Sequence, residues 1–289
     1  DRIYIARIPD IGTTALGAVG LCFPIIVIIT AFSNLFGSGG APIFAIERGR
    51  NDTKRAGMIM NTSFFMLTIC SVLLMCVGFL FAKPILTIFG ASDNALIYAY
   101  PYIMIYLIGT FPSMIATGMN PFINAQGFGT MGMITVCIGA VLNLILDPVF
   151  IFVFELGVRG AAIATIISQF ASCLWVLIFL RSKKVQYPLK RSDMKLNDGK
   201  MIFSIISLGT SGFIMCVTNS LSQIACNATL AKWGGDLYVG AMTILNSVRE
   251  IFNLAANGVT EGAKPVLGYN FGAKKYDRVK KGILITFTM

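Results

Sequence analysis

GGAPIFAIERGRNDTKRAG, residues 39–57, returns as GAKPVLGYNFGAKKYDRVKKG at residues 262–282. A shift of 223 positions aligns Gly39 with Gly262, Pro42 with Pro265, Gly49 with Gly272 and Arg55 with Arg278. Carried towards the N-terminus, the same register pairs Gly17 with Gly240, Ala18 with Ala241, Ile28 with Ile251 and Asn34 with Asn257. Each copy passes from an apolar segment into a basic one. Two related units therefore organise the chain.

The rest of the sequence says what those units are made of. Of 289 residues, 56% are apolar and 12% charged, with a mean hydropathy of +0.77. Soluble domains carry roughly 25% charged residues. Uncharged runs cover 11–46, 56–82, 94–146, 160–180 and 201–231. About 20 apolar residues cross a bilayer as a helix, whereas barrel strands alternate in segments of about 10. A soluble domain, a disulfide scaffold and a disordered chain are excluded. The fold class is all-α integral membrane, a polytopic helical transporter. Spans are expected near 14–46, 56–82, 94–125, 130–154, 160–181, 201–231 and 238–268, with another opening at Gly282.

The repeat shift crosses six of these helices. An even number inserts both units with the same orientation, and parallel repeats about an axis along the membrane normal are a transporter architecture. The expected plan is two six-helix lobes, of which this chain supplies most of one and the start of the other. Residues 1–181 form the amino-terminal lobe, 182–200 a basic cytoplasmic linker, and 201–289 the beginning of the carboxy-terminal lobe.

Charge orients this plan. Of 23 Lys and Arg, four lie in 47–55, seven in 181–200 and five in 274–281, on one side of the membrane if every span crosses. Cytoplasmic loops carry the excess of cations, so these loops are expected to face the cytoplasm. The net charge of +10 is thereby read as topology, with no nucleic-acid partner. The polar stretch 181–200 reads as a cytoplasmic linker between two bundles, basic enough to be compatible with anionic headgroups.

Most carboxylates lie in loops, but Asp147 lies inside AVLNLILDPVFIFVF, residues 140–154. A charge at the centre of a spanning helix costs about 2.5–3.5 kcal/mol on insertion scales, so it is paired, protonated or bound to a cation. Asn143 shares its helical face, and Pro148 cannot donate to the carbonyl of Leu144. At about 1.5 Å per residue, Asp147 sits roughly 12 Å below Glu155, Thr165 about 9 Å below Arg159, and Asp1 about 9 Å before Arg7. Asp1, Asn143, Asp147 and Thr165 can thus meet at one depth if their helices are neighbours. Glu47, beside Arg48 and Arg50, reads as an interfacial ion pair. Glu261, three residues before Lys264, reads as locally neutralised and as a second-lobe polar candidate.

Other patterns carry no chemistry. GFGTMG at 127–132 lacks a surrounding βαβ unit. GSGG at 37–40 has no base to activate its serine, because the chain holds no histidine. An enzyme is not expected. The seven cysteines all lie in apolar runs without a CxxC pair, and are expected to be small buried hydrophobes rather than disulfides or metal ligands.

Three motifs carry a family resemblance: DRIYIA at the start, NLILDPVFIFVFELGVRGAAIATIISQ at 143–169, and GVTEGAKPVLGYNFGAKKYDRVKKG at 258–282. With them the chain resembles the multidrug and toxic compound extrusion (MATE) family, especially its DinF-like bacterial branch. The resemblance implies a stretch from the end of the family's first helix to the start of its ninth, in the inner membrane of a bacterial cell. It also implies a central cavity and export coupled to inward flow of sodium ions or protons, without an organic cofactor. The family's amino-lobe cation site matches Asp1, Asn143, Asp147 and Thr165. Where the branch has an acid on its seventh helix, CVTNSLSQ offers Asn219. The expected function is a monomeric, cation-coupled exporter of amphipathic or cationic small molecules. The alternatives are a lipid-linked oligosaccharide flippase of the same superfamily, which would line its cavity with more cations, and a channel or non-transporting receptor.

Overall fold

A computed structural model describes residues 2–8, 12–89, 93–190 and 198–288. Its helices are α1 (Arg2–Ile5), α2 (Gly12–Gly49), α3 (Thr53–Ile88), α4 (Asp93–Ile108), α5 (Thr110–Ala125), α6 (Gly129–Pro148), α7 (Gly157–Arg181), α8 (Gly199–Gly272) and α9 (Tyr276–Thr288). No strand occurs among the described residues. Among the described residues, five helices are long and apolar enough to cross a membrane, or six if the bent pair α4 and α5 is one span.

Three elements depart from the expected spans. The segment 94–125 is not one straight helix: α4 and α5 meet at Gly109 with a bend of 56°. Pro112 has no N–H for the carbonyl of Ile108, which permits the kink. α9 begins at Tyr276, six residues before Gly282. The expected turn between 231 and 238 is instead helical, within the 74 residues of α8.

α8 nevertheless doubles back. A Cβ on Gly209 would collide with the carbonyl of Leu35, and one on Gly272 with that of Ile46. Leu35 and Ile46 stand about 16 Å apart on α2, whereas a straight helix would separate Gly209 from Gly272 by about 95 Å. Both arms of α8 therefore lie against α2.

Small residues allow this approach. Gly37 faces the backbone of Gly118 on α5, Gly39 faces Ile205 and Gly209 on α8, and Gly40 meets Ser63 and Phe122. Membrane helices associate through such close backbone contacts, because lipid removes the hydrophobic drive between them. The GSGG run at 37–40 is thus the packing seam of α2. Phe32 adds an edge-to-face contact on Phe213, with ring centres 5.0 Å apart.

The repeat appears directly in the packing. Gly49 abuts Tyr269, and Gly272 abuts Ile46. Each partner is the other glycine's neighbour shifted by 223 positions, so one contact is made twice with the roles exchanged. A narrow niche beside it is lined by three repeat pairs: Ser38 with Glu261, Ala41 with Lys264, and Pro42 with Pro265. Such an exchange is the signature of a local two-fold relation between α2 and the second arm of α8.

The basic end of the bundle is closed by an extended segment. Val185, Tyr187 and Leu189 are buried while Gln186 and Lys190 are exposed, the period of two of an extended chain. The Tyr187 N–H donates to Gln126 Oε1 at 3.3 Å, and the Lys190 N–H to Asn61 Oδ1 at 3.0 Å. The Tyr187 ring packs edge-on to Phe44, 5.2 Å between centres. Arg48 donates to the Ala125 carbonyl at 2.8 Å and lies over the Tyr269 ring. Residues 185–190 therefore pack on protein. Glu47 is buried and pairs with Arg50 at 3.0 Å, as read from the sequence, and also with Arg55 at 3.6 Å, whereas Arg48, the other expected neighbour, turns to Ala125.

All seven cysteines are free thiols. Where all were expected to be buried, only Cys22 and Cys173 are; Cys70, Cys216 and Cys226 are half-buried, and Cys76 and Cys137 are exposed. Cys76 and Cys137 lie on helix faces shared with exposed Leu73, Leu80, Met133 and Val141.

Candidate functional site

α6 and α7 form a hairpin that sets the site. After Pro148 the helix widens into a π turn, Val149–Val153, a local irregularity frequent at functional sites. Glu155 (φ 52°) and Gly157 (φ 54°) then reverse the chain in the left-handed region. The reversal is tight because Gly160 has no Cβ, which would collide with the carbonyl of Phe150. A hairpin centred on Leu156 brings together residues equally distant from it. Asp147 and Thr165 are each nine positions away, and Asn143 and Gln169 thirteen.

Side-chain bonds follow from that register. Asn143 Nδ2 donates to Asp147 Oδ1 at 3.2 Å and to Thr165 Oγ1 at 3.4 Å. Thr165 donates its own proton to the Ala161 carbonyl at 2.9 Å, which leaves its oxygen to accept. Asp147 is fully buried, while its neighbours on α6, Leu144 and Ile145, are exposed. Three of the four residues read from the sequence are thus in one cluster. The fourth, Asp1, lies outside the described residues.

The cluster borders a cavity of about 690 Å³, within the range of small-molecule sites. Asn143 and Thr165 belong to both, and the remaining wall includes Asn34, Asn120, Asn124 and Gln169. Glu261 reaches the same cavity from α8 and pairs with Lys264. Asn219, by contrast, is an exposed residue of α8 and is not among the residues lining the cavity.

Sequence reading missed most of this wall. The signal was present as polar stripes at helical spacing: Ser113, Thr117, Asn120 and Asn124 on α5, and Thr165, Ser168, Gln169 and Ser172 on α7. Steps of three and four residues place each set on one face. That the two faces meet is a matter of how α5 and α7 pack, which a proline kink permits and no local pattern specifies.

A polytopic helical bundle built on a parallel repeat, with a buried carboxylate beside a polar cavity, defines a membrane protein of transporter architecture. The family model described as MatE matches residues 1–149 and 211–289, and the chain belongs to that family, one of transporters rather than enzymes. It is 26% identical over 260 residues to the multidrug export protein MepA of Staphylococcus haemolyticus (strain JCSC1435), covering 90% of this chain and 57% of that one. The chain thus spans little more than half the length of that relative. Among solved structures it is similar to the MATE multidrug transporter DinF-BH, with a TM-score of 0.90 and 30% identity over 100% of this chain and 64% of that one. An outward-facing MATE family transporter of the MOP superfamily shares the fold, with a TM-score of 0.87 and 21% identity over 99% of this chain and 63% of that one.

Proposed function

We propose that the protein is a cation-coupled exporter of amphipathic or cationic small molecules, working by alternating access. The observation that carries this reading is the Asn143 amide, which bonds both the buried Asp147 carboxylate and Thr165 in the wall of the cavity. Asp147 supplies the charge, and the neighbouring amide and hydroxyl supply oxygens for a sodium ion or a hydrogen-bonded proton site. A cation there changes how Asn143 and Thr165 are held, and those two residues also face the cavity. Substrate and cation then favour different conformations through their differential affinities.

The division 1–181, 182–200 and 201–289 belongs to this reading, as does a multi-pass placement in a bacterial inner membrane with the basic loops cytoplasmic and the protein monomeric. The flippase alternative would line the cavity with cations. Among the described residues lining it there is no Lys or Arg, and Glu261 is the one charged group, which supports export of cationic or neutral molecules.

The test is gradient-driven export by the native full-length protein in proteoliposomes. Asp147→Asn keeps the size and removes the charge, so coupled export is lost while the protein still folds. Wild-type export with unchanged cation dependence in Asp147→Asn would overturn the coupling site. Export that persists after both sodium and proton gradients collapse would overturn the antiport reading.

A further inference from the structure

We propose that Arg48 is the latch of a gate at the basic end of the cavity, and that residues 185–190 hold the latch in place. The inference rests on the exporter reading, because alternating access needs that end to open.

Three helices taper from the cavity to the latch in one order. α2 lines the cavity with Ser38, the niche with Ala41, and meets α8 at Ala45 and Gly49. The second arm of α8 runs the same course, with Glu261 on both spaces, Pro265 on the niche, and Gly268 and Tyr269 against α2. α5 follows them, with Asn120 on the cavity and Ala125 on the niche. The cavity of about 690 Å³ gives way to a niche of about 20 Å³, room for about one water. Beyond the niche, Gly49 and Gly272 leave space only for the opposing backbone. Along these three helices the passage narrows to direct helix contact.

Arg48 ties the narrow end together. Its guanidinium donates to the Ala125 carbonyl of α5 at 2.8 Å and stands 5.2 Å from the ring centre of Tyr269 on α8. One side chain of α2 thereby joins both other helices. Carbonyl and ring are neutral, so the contacts can part without stranding a buried carboxylate, the main cost of breaking an ion pair. A gate that must open repeatedly needs such contacts.

The extended segment meets the same turn. Next to Ala125, Gln126 accepts the Tyr187 N–H at 3.3 Å, and a Cβ on Gly127 would stand 3.8 Å from the Arg48 guanidinium. The Tyr187 ring packs on Phe44, which lies one turn before Arg48 on the same face of α2. Residues 185–190 thus brace α2 against the 125–127 turn, and this keeps the guanidinium aimed at Ala125 and Tyr269.

Thiol labelling reads the gate in the native full-length protein, made cysteine-free. Ala41→Cys places a thiol in the niche, and a membrane-impermeant maleimide is applied to each side of sealed vesicles, with Asn51→Cys marking the side of the basic loops. Labelling of Ala41→Cys from that side is expected to be slow. Arg48→Ala should quicken it about ten-fold or more, and Tyr187→Ala should quicken it as well. Lys54→Ala, which removes an exposed cation at the same end, should leave it unchanged. Tyr269→Leu removes the ring and should act like Arg48→Ala, so it carries the test if Arg48→Ala fails to fold. The proposal is overturned if neither variant quickens labelling, or if Lys54→Ala quickens it as much. An equal rise from both sides would also overturn it, since general loosening favours no side. Unchanged labelling in Tyr187→Ala would overturn the role of residues 185–190. Labelling needs neither gradient nor substrate, so its outcome is separate from that of the export assay.

Discussion

Ala45 and Gly268 are 223 positions apart, the shift of the internal repeat, and they pack against each other: a Cβ on Gly268 would stand 3.0 Å from that of Ala45. Equivalent residues of two repeat copies meet only near the axis that relates the copies. The exchanged contacts of Gly49 with Tyr269 and Gly272 with Ile46 flank this pair. The shared register of the sequence repeat is therefore also a contact surface.

Both flanking glycines should respond alike to a methyl group. Gly49→Ala and Gly272→Ala each force backbone apart at the same kind of contact, at a cost of about 1–3 kcal/mol. Gly57→Ala, inside α3 with nothing within 4 Å of its Cβ, should be neutral or stabilising by up to about 1 kcal/mol. Thermal unfolding of the purified protein in one detergent measures all three. A large loss for one flanking glycine and none for the other would contradict the two-fold relation.

The Asn143 bridge predicts a graded loss of cation affinity. Thr165→Val keeps the shape and removes one acceptor, a change of about 0.5–1.5 kcal/mol or three- to ten-fold. Asp147→Asn removes the charge and should cost more. Isotopic sodium binding and its displacement by acid rank the two variants, and equal losses would mean that the carboxylate is not the main ligand.

The segment 185–190 should be held by two buried side chains. Gln126→Leu and Asn61→Leu remove the acceptors for the Tyr187 and Lys190 amides, so exchange of those amides should quicken about ten-fold or more. Cleavage by trypsin at Lys190 should rise with it. Unchanged exchange in both variants would show that side-chain burial alone holds the segment.

The same segment should loosen in alkali. Burial raises the Tyr187 phenol above its ordinary value; Arg48 lowers it and Tyr269 raises it, and the net direction is upward. Its folded form is thus the neutral phenol. The stability it contributes is fully present below the ordinary tyrosine range and is lost as pH rises through the raised value. Amide exchange followed against pH should show this loss in the wild type and not in Tyr187→Phe.

Orientation is open to labelling. In a cysteine-free background, Asn51→Cys should be shielded from a membrane-impermeant maleimide in intact cells and Glu155→Cys should react. The reverse pattern would invert the assignment of the basic loops to the cytoplasm.

Hydropathy and repetition alone determined that this is a helical membrane protein made of parallel repeats. Those properties follow from solvent: lipid requires each helix to satisfy its own backbone, and period and charge are written along a single segment. The Asn143–Asp147 pair was legible for the same reason, since four residues make one turn. Thr165 was placed correctly because the hairpin is short and counts evenly about Leu156. Tertiary structure alone decided the rest. The packing of α5 against α7 carries Asn120 and Asn124 to the cavity, the reversal of α8 brings Glu261 to the same wall, and Gln126 and Asn61 hold residues 185–190 across the basic end. Each of these joins segments far apart in the chain. Such contacts depend on which helix backbones can approach, and a glycine announces that an approach is allowed without saying which helix will make it.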